Sequence, residues 1–210
     1  MKRAQKKLND QEVQKILAEA KKESYFDYLA LKTLIALDLR RAELVGQNDT
    51  KGRMVVKLDA KGEEWYFQTK SHENPGMLIE KLTDKGIWLR RKKHGEDTFV
   101  PIPHDLRAEI DQIIGHRTSG PIFPRTTGWV WYRIRHYARN ANIPDWQYVH
   151  PHALRWHAGD AVFEKHGIKA ASSFLGHKNV ATTWSHYTHK VKPEVMSAAS
   201  QTLEDKFEGL

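Results

Sequence analysis

The chain has no cysteine. Disulfide staples and thiolate metal sites are therefore excluded, and any chemistry must come from oxygen and nitrogen groups. Long hydrophobic runs are missing too. The most apolar stretch, "YLALKTLIALDL", is short and interrupted by Lys32, too little to span a membrane as a helix. The opening "MKRAQKKLNDQEV" is basic with no apolar segment behind it, so it does not read as a secretory signal. There is no internal repeat and no low-complexity tract. Acidic side chains are in the minority: 26 Asp and Glu face 34 Lys and Arg, a formal charge of +8. That surplus favours a polyanionic partner, and nucleic acid is the commonest. These features point to a cytoplasmic, intracellular protein.

What is present suits one domain: 210 residues with 40% hydrophobic content. Asn9 and Glu12 form a capping-box signal ahead of an apolar stripe at Val13, Ile16 and Leu17, which predicts a first helix. "YFDYLALKTLIAL" predicts a second. Asp38 breaks it and is placed to cap the next turn, "LRRAELVG". Residues 50 to 102 then change character. "RMVVKLD" and "EEWYFQTK" read as strands joined by "AKGE", and "GIWLRRKKHGEDTFVPIP" as two more, turning at His94 to Asp97. Helices return with "HDLRAEIDQII" and "GWVWYRIRHYARNANI", and three or four more fit beyond residue 151. The pattern predicts a helical body with one small antiparallel sheet.

Four pieces stand out for chemistry. "DLRRAEL" sets Arg40 three residues before Glu43. "LRRKKHGEDTFVPI" places Lys92 and Lys93 toward a hairpin tip. "HPHALRW" puts His152 and Arg155 at i and i+3, on one helical face. "LGHKNVATTWSHYTH" offers His177 and Tyr187, the tyrosine set among three histidines. A tyrosine hydroxyl, with a pKa of about 10, is a poor nucleophile unless its surroundings activate it. These pieces supply such surroundings for breaking a phosphodiester. Negative charge grows on the non-bridging oxygens of the transition state, and two forked guanidiniums stabilise it. A lysine can protonate the leaving 5′ oxygen, and a histidine can take the phenolic proton. That scheme needs no metal.

In order and spacing the motifs resemble the tyrosine recombinase (phage integrase) family: an Arg in a "GLRxxEL"-like turn, a hairpin Lys, "HxxR", "LGH", then a Tyr before "TH". The resemblance covers residues 8 to 190 or so. It implies the family's α+β, mainly α, catalytic fold, a helical domain with a small antiparallel β-sheet. It also implies a site-specific recombinase or integrase of a mobile genetic element such as a virus or plasmid, cleaving and rejoining double-stranded DNA through a 3′-phosphotyrosine intermediate. No cofactor is implied, and exchange would need self-association into a tetramer on two duplexes. By the same resemblance Arg40 and Arg155 hold the scissile phosphate. Lys93 is the general acid, His152 a base or positioner, His177 a further phosphate donor, and Tyr187 the nucleophile. Glu43 orients Arg40 without doing chemistry.

Several features depart from that pattern. His177 and Tyr187 are ten residues apart, where the family usually has nine. Asp38 stands where the family usually has glycine; a turn needing positive φ tolerates aspartate better than most residues. "RWHAGD" replaces the usual Arg-His pair, putting Trp156 or His157 out of register. The hairpin at about 50–72 reads as an insertion, which makes Lys70 a second candidate for the acid. The expected layout is a catalytic domain over 1–192 and an amphipathic helix over 193–210, with apolar Met196, Ala199, Leu203 and Phe207. The family's helical DNA-binding domain would end about where this chain starts, so the chain is either single-domain or a fragment. Arg133, Arg135 and Arg139, on the helix with Trp129 and Trp131, are candidates for DNA contact.

Taken singly, each feature has a plainer reading. Arg40 and Glu43 make an ordinary surface pair, "RRKK" a solvated charge run, and His152 or Tyr187 a packing residue. All four in family order are not explained that way. "HPH" and "HYTH" invite zinc, but no carboxylate or thiolate sits at a ligand-like spacing. Two other classes stay open: a DNA-binding regulator with impaired chemistry, and a topoisomerase-like enzyme that relaxes supercoils without strand exchange.

Overall fold

Asn9 opens the first helix, α1 (Asp10–Glu23), through the expected capping box: its Oδ1 accepts from the Glu12 N–H at 2.9 Å, while Glu12 Oε2 accepts from the Asn9 N–H at 3.1 Å. Ser24 ends α1 and caps α2 (Tyr25–Ala36), its Oγ accepting from the Asp27 N–H at 3.2 Å. The structure, a computed structural model, describes residues 6–48, 54–58, 64–68, 73–91 and 97–175. The chain falls into two compact units, 1–158 and 159–210.

In the first unit α2 buries Leu29, Ala30, Leu31 and Leu34. Leu37 and Leu39, both buried, anchor the corner that follows, and Asp38 between them takes φ of 49°. The expectation of positive φ therefore holds, but Asp38 does not cap α3 (Arg41–Val45). It lies two positions too early, and its side chain is wholly buried. The residue ahead of α3 is Arg40, whose N–H donates to Glu43 Oε2 at 2.8 Å.

The next strands are β1 (Gln47–Asn48), β2 (Met54–Leu58), β3 (Glu64–Gln68) and β4 (Glu73–Asn74). β2 and β3 form the expected antiparallel hairpin, with Val56 opposite Tyr66. β1 and β4 pair antiparallel over two residues, a ladder too short to show in a periodicity. Gly76 lies where the chain comes back against the end of α3, with φ of 74°. A Cβ there would meet the main chain of Val45 and Gly46, at 2.8 Å from the Val45 carbonyl carbon. Only glycine allows that approach.

β5 (Leu82–Thr83), β6 (Gly86–Leu89) and β7 (Thr98–Pro101) form an antiparallel sheet in the order β5-β6-β7. Ile87 pairs with Val100 on its buried face, and Trp88 with Phe99 on its exposed face. α4 (His104–Ile114) buries Leu106, Ile110 and Ile114. Thr126 caps α5 (Thr127–Asn140), which inserts Val130, Ile134, Tyr137 and Ala138 into the core at helical spacing. Tyr137 donates its hydroxyl to Asp27 Oδ2 at 2.6 Å, joining α5 to α2, and burial, then that bond, pushes its pKa up.

α6 (Pro151–Phe174) opens in the first unit, where Ala153, Leu154 and Arg155 are buried. In the second unit it departs from helical geometry at Gly167, with φ of 79°, and Ala171, Ser172 and Leu175 are buried. The helix expected over 193–210 lies outside the described residues. Among the described residues no helix is long and apolar enough to cross a membrane.

Candidate active site

The corner between α2 and α3, the end of β6 and the first turn of α6 bring three guanidiniums around two buried carboxylates. Arg40 donates from Nη1 to Glu43 Oε1 at 2.6 Å and to the Arg91 carbonyl at 3.1 Å. The other oxygen of Glu43 lies 3.9 Å from both Arg155 Nη1 and Arg91 Nε. Arg155 donates from Nη1 to the Asp38 carbonyl at 2.8 Å, and Arg91 from Nη2 to the same oxygen at 2.7 Å. The Asp38 carboxylate stands 3.2 Å from Arg155 Nη2 and 3.5 Å from Arg91 Nη2.

Exposure grades across this array. Side-chain exposure is 6% for Arg155 and 11% for Arg91, but 40% for Arg40. Arg40 is thus the member that reaches outward, with Glu43 behind it at 2%. Burial pushes the Asp38 carboxyl up to about 7; Arg155 and Arg91 oppose the shift and Glu43 adds to it. Burial likewise lowers the Arg155 pKa, with Asp38 opposing.

A cavity of about 430 Å³ opens beside the array, lined among others by Arg40, Arg41, Trp131, Arg135, Tyr148 and His152. His152 is exposed on this cavity, one turn before Arg155. Its pKa is lowered first by partial desolvation at the cavity wall, then by Arg155, Arg40 and Arg41. The cations thus favour the neutral ring, which keeps a nitrogen available to accept a proton while making it a weaker base. His150 is lowered by burial, His152 and Arg135, and packs edge-on to Trp156 at 5.2 Å. His157 contacts Asp10 Oδ1 at 2.7 Å, at α1.

Of the residues expected from sequence, Arg40, Glu43, His152 and Arg155 are brought together. Lys70, Lys92, Lys93, His177 and Tyr187 lie outside the described residues. The three arginines of α5 go different ways. Arg133 ion-pairs with Glu23 at 3.0 Å and with Asp27, facing α1 and α2. Arg135 stacks on Trp131, 3.5 Å from the ring centroid, and lines the cavity. Arg139 lies over Trp146 at 5.6 Å.

Two members of the array were not picked out from the sequence. From the sequence Asp38 reads as a helix breaker and a cap for the next turn, not as a partner of the arginines. Arg91 reads from the sequence as one charge of "RRKK", although alternation sets it on the side of buried Leu89, opposite exposed Trp88. Among the described residues no group of three or more His, Asp or Glu side chains could hold a metal ion.

This architecture is that of known recombinase catalytic domains. The catalytic domain of bacteriophage HP1 integrase superposes with a TM-score of 0.59 at 17% identity, over 94% of this chain and 95% of that one. A lambda integrase tetramer bound to a Holliday junction superposes at 0.58 with 15% identity, over 85% of this chain and 48% of that one. In sequence, the tyrosine recombinase XerD of Pseudomonas putida is 30% identical over 170 residues, 76% of this chain and 55% of the relative. The phage integrase family model matches residues 73–194. The chain belongs to the phage integrase family, and it spans about half the length of the curated relatives it matches.

Proposed function

We propose that this chain cleaves and rejoins double-stranded DNA at specific sites through Tyr187, as the catalytic part of a recombinase or integrase of a mobile genetic element. The observation that carries the reading is Glu43 standing between two guanidiniums, 2.6 Å from Arg40 and 3.9 Å from Arg155, with His152 on the adjoining cavity. The family match spans Tyr187, the tyrosine to which this array would present a phosphate, and supports the reading.

In the proposed reaction, Arg40 and Arg155 grip the non-bridging oxygens of the scissile phosphate. The Tyr187 oxygen attacks phosphorus as His152 accepts its proton, with His177 donating to the phosphate. The bond to the 5′ oxygen breaks, and Lys93 gives that oxygen a proton. A 3′-phosphotyrosine and a free 5′ hydroxyl result. Attack by a 5′ hydroxyl reverses the steps and reseals the strand, so the bond energy is conserved and no cofactor enters. Lys93 is preferred to Lys92 on its sequence distance from the "VPI" segment. Arg135, at the cavity wall, is better placed to follow the DNA backbone than Arg133, which is engaged with Glu23 and Asp27. Strand exchange would assemble four copies on two duplexes, an arrangement for which the lambda integrase tetramer is a structural parallel.

The test is covalent trapping on nicked duplexes. A denaturant-resistant adduct should form with the parent chain and not with Tyr187→Phe. An adduct that persists in the variant would remove Tyr187 as nucleophile. DNA binding without any adduct would favour a regulator.

A further inference from the structure

Asp38 engages two guanidiniums with two of its own groups. Its main-chain carbonyl accepts from Arg91 at 2.7 Å and from Arg155 at 2.8 Å. Its carboxylate lies against the same two side chains, at 3.5 Å and 3.2 Å. The carbonyl contact belongs to the backbone, and a glycine in this left-handed turn would keep it. The carboxylate is what aspartate adds.

We propose that the Asp38 carboxylate is a positioning group that yokes Arg91 to Arg155, fixing the strand end that leads to Lys92 and Lys93 against the guanidinium that holds the phosphate. This rests on the reading of Arg155 given above. The physical need is plain. Arg91 and Arg155 are both nearly buried, share one carbonyl and repel each other; Glu43 stands 3.9 Å from each, and the Asp38 carboxylate, at 3.5 and 3.2 Å, is the nearer opposing charge. With Asp38 ionised the empty site stays assembled before DNA arrives, and no reorganisation is left for the reaction itself.

The groups that face the carboxylate come from every side of the corner: Arg155 from α6, Arg91 from the end of β6, and Arg40 and Glu43 from the start of α3. Burial and Glu43 favour the protonated acid, and the three arginines favour the carboxylate. The balance falls near neutral pH, so a proton on Asp38 would release the yoke within the range in which such an enzyme can be assayed.

The experiment uses the parent chain, Asp38→Gly, Asp38→Asn and the double variant Asp38→Gly/Arg91→Leu. Glycine relieves the left-handed backbone, and the double variant removes one of the two cations left facing each other, so folding is checked independently of the carboxylate. First, guanidinium NMR signals are recorded without DNA at pH 5.5 and 8.5. The Nη resonances of Arg91 and Arg155 should be restrained at the higher pH in the parent and averaged at both in the single variants. Second, single-turnover adduct formation is followed against pH. The parent rate should rise through a step near pH 7, and the step should vanish in Asp38→Asn. Both single variants should be slower by roughly 10- to 100-fold. The double variant should recover part of that loss, because it also removes the repelling cation.

Restraint that survives Asp38→Gly, or a pH step unchanged in Asp38→Asn, overturns the proposal. Loss of restraint in the variants from a parent that makes no adduct supports the yoke and overturns the recombinase reading instead.

Discussion

Glu43 receives two hydrogen bonds from Arg40, one from its main-chain N–H at 2.8 Å and one from its guanidinium at 2.6 Å. One buried carboxylate thus sets both the turn that starts α3 and the direction in which Arg40 points. Glu43→Gln keeps an acceptor for one of these bonds and loses the charge. Adduct formation should fall by roughly 10- to 100-fold with the fold intact. An unchanged rate in single-turnover trapping would deny Glu43 its orienting role.

Arg155→Ala should separate binding from chemistry. On the proposed reading, affinity for duplex DNA is spread over many phosphate contacts, whereas charge stabilisation in the transition state falls to Arg40 and Arg155. Gel-shift affinity should stay within a few-fold of the parent, while cleavage drops by about 100-fold or more. Cleavage at the parent rate would take Arg155 out of the site.

Asp38 predicts a pH dependence of stability with a definite sign. Its carboxyl is raised from near 4 to about 7, so between these values the folded state keeps a proton that the unfolded chain has released. Stability should therefore fall as pH rises through that window, by roughly 4 kcal/mol in all. Asp38→Asn should lack this component. Urea unfolding of both proteins at pH 4.5 and 7.5 measures it, and parallel pH trends would contradict it.

Tyr137→Phe removes the hydroxyl that meets Asp27 in the core and leaves that buried carboxylate with Arg133. The cost should be about 1–3 kcal/mol. A change below about 0.5 kcal/mol in urea unfolding, the level of a surface substitution, would mean that Arg133 alone satisfies Asp27.

Binding to duplex DNA should weaken steeply with salt, because each neutralised phosphate releases counterions. A flat dependence of affinity on salt between about 50 and 200 mM would argue against DNA as the polyanion.

Much of the fold was legible because its signals are local. The Asn9–Glu12 box, the alternation around Trp88 and the stripe of α5 each lie within one element. Arg40, His152 and Arg155 were legible as motif residues. The rest depended on contacts no local pattern carries. Arg133 reads as a DNA-facing cation until Glu23 and Asp27, more than 100 positions away, arrive beside it. Asp38 reads as a cap because aspartates near helix starts usually are; its burial against Arg91 and Arg155 is set by two distant segments. The β1–β4 ladder has no period to detect at two residues.

The contact between Gly76 and the end of α3 has a consequence for how this protein can vary. A side chain at position 76 would displace the main chain of Val45 and Gly46, at the far end of the helical turn whose other end carries Arg40 and Glu43. An alanine there would shift the turn that carries Arg40 and Glu43 without altering one charged atom. Natural variation should thus be as restricted at this silent position as at the arginines, and a screen that scores only chemistry-bearing residues would overlook it.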